Sequence, residues 1–315
     1  MKNLKKIIGI ALLAISITSC SDDDDKKQTI AEIAIANPNL STLVAALQRA
    51  DLVDTFNASG DFTVFAPTNA AFETLLGPGV SVNTVPVPVL TEILNNHVLG
   101  QSYTSSELET GYYKTLAKGA ASTTNTLSMY IDLTSGVKIN GGETNGGANV
   151  VLANANIVAS NGVIHVVDRV IGLPTVKNHA IANPNFSKLT ALLVAQNLAG
   201  ALDATASTAV PSPPFTVFAP INSAFSPAVE TLYGSLSSER KTAVLLYHVV
   251  GGLNVLSNAI PTGQIPTLQG QSFSITGTAI NDAGSTVNKN IVVTNVQCSN
   301  GIVHAIDGVL LPIFN

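Results

Sequence analysis

Tryptophan is absent from this chain, cysteine and methionine occur only twice each, and charged residues make up just 11%. Each shortage closes off a class of function. Cys20 and Cys298 are too few for a disulfide framework or a cysteine-based zinc site. There is no His-Glu-x-x-His and no acidic calcium loop, so no metal or other cofactor has a visible home. No Gly-x-Ser-x-Gly elbow offers a nucleophile. The stretch Gly141-Gly142-Glu143-Thr144-Asn145-Gly146-Gly147 lacks the Gly-Lys-Ser/Thr ending of a phosphate loop and reads as a flexible hairpin loop. No catalytic residues stand out, and the chain reads as non-enzymatic. Paired carboxylates from distant loops would leave no local signature, so that one chemistry stays open, with nothing arguing for it. With the five lysines and four aspartates before Gln28 set aside, 10 Lys and Arg face 16 Asp and Glu, a net charge of −6. That balance, without a basic cluster, excludes nucleic acid as a partner.

What the chain does contain, it contains twice. Phe62-Thr63-Val64-Phe65-Ala66-Pro67 returns letter for letter as Phe215-Thr216-Val217-Phe218-Ala219-Pro220. Its β-branched and aromatic residues predict a buried strand stopped by proline. A helix should follow each copy, with Asn69 and Asn222 as N-caps. Ahead of the hexapeptide, Ala36-Asn37-Pro38-Asn39-Leu40-Ser41 matches Ala182-Asn183-Pro184-Asn185-Phe186-Ser187, an Asn-Pro turn before an amphipathic helix. Behind it, Leu90, Ile93, Leu94 and His97 share a helical face, matched by Val244, Leu245 and His248. Ser160-Asn161-Gly162-Val163-Ile164-His165-Val166-Val167-Asp168 closes the first copy, and Ser299-Asn300-Gly301-Ile302-Val303-His304-Ala305-Ile306-Asp307 the second. The Asn-Gly pair predicts that each closing strand is the second arm of a hairpin. Short strands are expected over 126–133, 137–140, 149–153 and 156–159, and over 271–275 and 290–296. Helices early and strands late indicate an α+β fold, with two touching domains at 28–174 and 179–315.

The N-terminus reads as an export signal. Lys2, Lys5 and Lys6 precede an apolar run at 7–17, which is too short to span a bilayer. Ile17-Thr18-Ser19-Cys20 resembles the bacterial lipobox, which implies a signal at 1–19 and lipidation of Cys20. The alternative is an ordinary secretory signal with an incidental cysteine. Residues 20–27 then form an acidic tether, and Ser21-Asp22-Asp23-Asp24-Asp25 resembles the surface-export signal of Bacteroidetes lipoproteins. The implied address is the outer membrane, lipid-anchored and surface-exposed. Cys298, which stands where the first copy has Ala159, reads as an inert buried hydrophobe.

Together the opening strand, the closing strand and the pair Tyr247-His248 resemble the fasciclin domain. The first copy keeps only His97 of that pair, with Asn96 in the tyrosine's place. The resemblance covers nearly all of 28–315. It implies two tandem domains, each a β-wedge or sandwich with a helical layer, in a module for adhesion or for interaction with matrix or protein. In the family the Tyr-His motif is linked to receptor contact, so the resemblance makes Tyr247, His248 and His97 candidate binding residues. The residues themselves favour a structural role, since His97 and His248 fall on apolar helical faces. His165 and Asp168, like His304 and Asp307, are three apart in a strand and point to opposite faces, so neither pair can chelate a metal. His179 should be solvated in the linker. A glycan is the alternative partner, and Tyr103, Tyr112 and Tyr113 are the only clustered tyrosines that could stack on a sugar, against a simpler packing role.

Overall fold

The computed structural model describes residues 27–205 and 211–314, so the signal region, Cys20 and the acidic run lie outside the described residues. The first repeat opens with helices α1 (Ile30–Ala36), α2 (Ser41–Arg49) and α3 (Val53–Asn57). Strand β1 (Phe62–Pro67) leads into α4 (Asn69–Leu76) and α5 (Val87–Asn96). Seven strands complete it: β2 (Val98–Leu99), β3 (Gly111–Lys114), β4 (Ser128–Asp132), β5 (Lys138–Ile139), β6 (Ala148–Asn149), β7 (Ile157–Ala159) and β8 (Gly162–Val167). The second repeat follows the same plan. Its helices are α6 (Val176–Ala182), α7 (Ser187–Ala195), α8 (Pro227–Ser235) and α9 (Ser238–Leu246), and β9 (Phe215–Pro220) stands between α7 and α8. After them come β10 (Val249–Gly251), β11 (Gln264–Pro266), β12 (Ser272–Thr276), β13 (Ala279–Asn281), β14 (Lys289–Cys298) and β15 (Gly301–Ile306). This is the expected α+β pair.

The repeated hexapeptide is the axis of each domain. β1 runs parallel to β8 along its whole length, and β9 parallel to β15, with the antiparallel β2 or β10 on the other side. Its side chains alternate between two cores. Val64 and Ala66 face the helices, whereas Phe65 faces a second core against Leu99, Met129 and Ile131. Val217 and Phe218 divide in the same way. The closing strands are hairpin arms, since Ala159 pairs with Gly162 and Cys298 with Gly301. Ser160-Asn161 is therefore the two-residue turn, and Gly162 already belongs to the strand. A Cβ on Gly162 would sit 2.1 Å from the Phe62 carbonyl oxygen, and one on Gly301 2.2 Å from that of Phe215. Only glycine permits the parallel strands to approach so closely.

The repeats differ in their sheets. In the second, β14 is one long strand with bulges and joins everything into a seven-stranded sheet. In the first, a 3-10 turn at Leu152–Asn154 breaks the equivalent strand into β6 and β7, leaving two four-stranded sheets. The strand expected over 149–153 is thus only its first residue. The helix starts also differ from expectation. Thr68, not Asn69, caps α4 by accepting from the Ala71 N–H. Asn69 instead accepts from the Thr42 N–H and donates to the Pro38 carbonyl, and Asn222 does the same with Lys188 and Pro184. Each asparagine ties its segment to the Asn-Pro turn. The second repeat starts at Thr175, which caps α6 as Thr29 caps α1, four residues ahead of the expected 179.

Candidate functional site

His97 and His248 terminate α5 and α9. Each is a latch. The Nδ1–H of His97 donates to the Ile93 carbonyl at 2.7 Å, and its Nε2 accepts from the Ile171 N–H at 2.8 Å. His248 does the same with Val244 and Leu310, both at 2.8 Å. Because the carbonyl must accept and the amide must donate, this geometry requires the neutral imidazole. Burial pushes both imidazoles down to about 4, opposed by the hydrogen bond to the helix carbonyl.

Tyr247 packs its ring against Phe273 in the second core, and burial raises its phenol. Its hydroxyl donates to the Ser272 carbonyl at 2.8 Å and accepts from the Ala283 N–H at 3.1 Å. In the first repeat the shorter Asn96 donates to the Gly172 carbonyl instead. Beside Tyr247 lies a buried ion pair, Lys289 Nζ to Asp282 Oδ2 at 2.7 Å, where the matching register of the first repeat has Ala148 and Gly141. The candidates Tyr247, His248 and His97 are all buried and committed to internal bonds. A contact role for them has no exposed side chain to act through.

His165 and His304 stack on Phe65 and Phe218, with ring centroids 5.7 and 5.5 Å apart. Their Nδ1 atoms accept from Asn156 and Asn295, and Nε2 bonds the carbonyls of Tyr103 and Val255 at 2.9 Å. Asp168 and Asp307 face away and hold the backbone and side-chain amides of Asn149 and Asn290. The opposite-face reading holds. Among the described residues no group of three His, Cys, Asp or Glu converges as a metal would require.

The tyrosine cluster divides. Tyr112 and Tyr113 are neighbours on β3 and project to opposite faces. Tyr113 pairs edge-on with Tyr103 at 5.4 Å, both half-buried. Tyr112 turns to the second domain, where its hydroxyl accepts from Asn183 and its ring meets His179 edge-on at 5.5 Å. His179 is therefore no linker residue in water. It is buried on α6 between the domains, facing the backbone of Ser128 and Gln297 without closing a hydrogen bond of ordinary geometry, and burial lowers its imidazole to about 3. Helical spacing before Asn183 was the only available signal for this, and interdomain burial leaves no local pattern.

Around His179 the two domains are closely bonded. Lys114 Nζ donates to Thr126, Ser128 and, across the boundary, the Asn295 carbonyl at 3.0 Å. The Gln297 N–H donates to Ser128 Oγ, and Gln297 Oε1 accepts from Asn125. The glycine-rich loop joins β5 to β6 as expected, but it is packed against the second domain. Asn145 donates to the Asn178 carbonyl at 2.8 Å, and Asn178 donates back to that of Asn145. Cys298 is buried here and its thiol is pushed up by burial.

The fasciclin domain model matches this chain twice, over residues 38–174 and 184–312. The chain belongs to the fasciclin-domain family. Protein sll1483 of Synechocystis is 39% identical over 152 residues, 47% of this chain and 74% of its own length. Human periostin is 28% identical over 271 residues, 83% of this chain but only 29% of its own length. A solved FAS1 domain pair from the insect cell adhesion molecule Fasciclin I superposes with a TM-score of 0.52 at 19% identity, covering 89% of this chain and 98% of that one, a likeness of fold alone. Fasciclin domains are found in cell-adhesion and extracellular-matrix proteins. The Tyr247-His248 pair of the second copy and the Asn96-His97 pair of the first are both folded inward.

Proposed function

We propose that this chain is a non-enzymatic lipoprotein of the cell surface, held in the outer membrane through Cys20. In this reading it mediates adhesion, or binds a matrix or protein ligand, through exposed faces of the fasciclin pair. The observation that carries the reading is the match of both repeats, in tandem, to a domain found in adhesion and matrix proteins. The lipobox-like Ile17-Thr18-Ser19-Cys20 and the acidic run behind it support the anchor. Replacing Cys20→Ser should abolish metabolic lipid labelling and detergent-phase partitioning. Partitioning like the unsubstituted chain would rule the anchor out.

A second reading, glycan binding in a nutrient-uptake system, draws on the half-buried Tyr103–Tyr113 pair. One screen separates the two. Residues 28–315 are applied to matrix-protein and glycan arrays, alongside a Tyr103→Ala/Tyr113→Ala variant. Saturable matrix-protein binding that survives this variant supports adhesion, whereas glycan binding lost with the tyrosines supports the second reading. Silence on every matrix and cell-surface protein tested would remove the adhesion reading.

A further inference from the structure

One divergence between the repeats on the helical layer opens a groove. Superposing α2 on α7 through their common Ser-x-Leu start sets Arg49 against Ala195 and Asp51 against Asn197, the latter two sharing a φ of 57°. In the first repeat the Arg49 guanidinium reaches over and donates twice to the Val85 carbonyl, at 3.0 and 3.3 Å. It fills the space between α2 and the segment that precedes α5. In the second repeat Ala195 leaves that space open. A groove of about 400 Å³ runs there between α7, α8 and α9, a size that suits a small ligand.

The walls of the groove are apolar: Leu192, Phe225 and Tyr233, with Ala191 and Ala195 beside them. Its charged lining is Lys188, Glu230 and Lys241. Lys188 and Glu230 neutralise each other at 2.6 Å. Lys241 Nζ lies 5.9 Å from the Tyr233 ring centroid and takes part in none of the ion pairs among the described residues. The lining therefore has a net charge of +1 on a chain whose overall charge is −5. An apolar trough with one unneutralised ammonium at its edge complements an apolar tail ending in an anion.

We propose that this groove binds a single-chain amphiphile with a carboxylate head, its tail lying on Leu192, Phe225 and Tyr233 and its head meeting Lys241. The site is a property of the second repeat alone and is independent of the adhesion reading.

Calorimetric titration of residues 28–315, which contain both repeats entire, tests this with decanoate and with decanol as the headless control. Decanoate should bind at one saturable site. The variant Ala195→Phe, at an exposed position, fills the trough and should weaken decanoate at least tenfold while leaving the melting temperature unchanged. Lys241→Gln should weaken decanoate severalfold and leave decanol unaffected. No saturable decanoate binding by the unsubstituted chain would overturn the proposal, as would decanoate affinity unchanged by Ala195→Phe. Equal losses of decanoate and decanol in Lys241→Gln would overturn the head-group assignment.

Discussion

Phe65 and Phe218 fill the second core of each repeat, and the residues around them are themselves buried. Truncating either to alanine should cost about 3–5 kcal/mol, read as a shift in the chemical denaturation midpoint. The histidines set a pH dependence. His97 and His248 are neutral when folded and titrate near 4, whereas the unfolded chain binds their protons near 6.5. The unfolded state therefore holds more protons between those values. Stability is fully present above pH 6.5 and falls as the pH drops towards 4, by about 3 kcal/mol for each latch. Unfolding free energies at pH 7, 5.5 and 4.5 should show this slope. A His97→Gln/His248→Gln variant, less stable at pH 7, should show a flatter one.

At the scale of elements, the parallel pairings β1–β8 and β9–β15 depend on Gly162 and Gly301. Alanine at either position forces a Cβ onto a backbone carbonyl that cannot rotate away, and we expect a loss of about 1–3 kcal/mol in thermal denaturation. The hexapeptides, the Asn-Pro turns and the hairpin turns were all legible in the sequence, because each is a short-range signal with its own steric cause. The parallel register was not. It joins segments a hundred residues apart, in one chain as β1 with β8, and no local period encodes such a partner. The caps were misread for a related reason: Asn69 and Asn222 have the right chemistry for a cap, but tertiary contact with the preceding turn takes both side chains. For the candidate site, the sequence revealed the motif residues while concealing their burial. His97 and His248 were legible as members of an apolar face, whereas Tyr112 and His179 acquire their surroundings only when the second domain docks.

At the scale of the whole molecule, the interdomain contact is polar and closely bonded. Gln297 is fully buried within it and bonds to Asn125, Asn254 and the Cys298 and Gly301 carbonyls. Gln297→Ala strands several of these groups and should cost about 2 kcal/mol or more, splitting a single calorimetric transition into two. The Cys298 thiol offers a direct probe of the same boundary. In residues 28–315 it should be inert to a thiol reagent until the domains unfold, and prompt labelling of native protein would show the interface open in solution.

That contact is also heterologous, since the first domain offers β3, β4 and its glycine-rich loop, while the second offers α6 and the end of β14. A head-to-tail joint of this kind is in principle the repeating bond of a filament. Here each end lacks the residues to continue it. Gln264 and Pro266 of the second domain hold the register places of Tyr112 and Lys114, and the exposed Val158 of the first holds the place of Gln297. Neither outward face of the pair repeats the side chains that make the joint between its two domains.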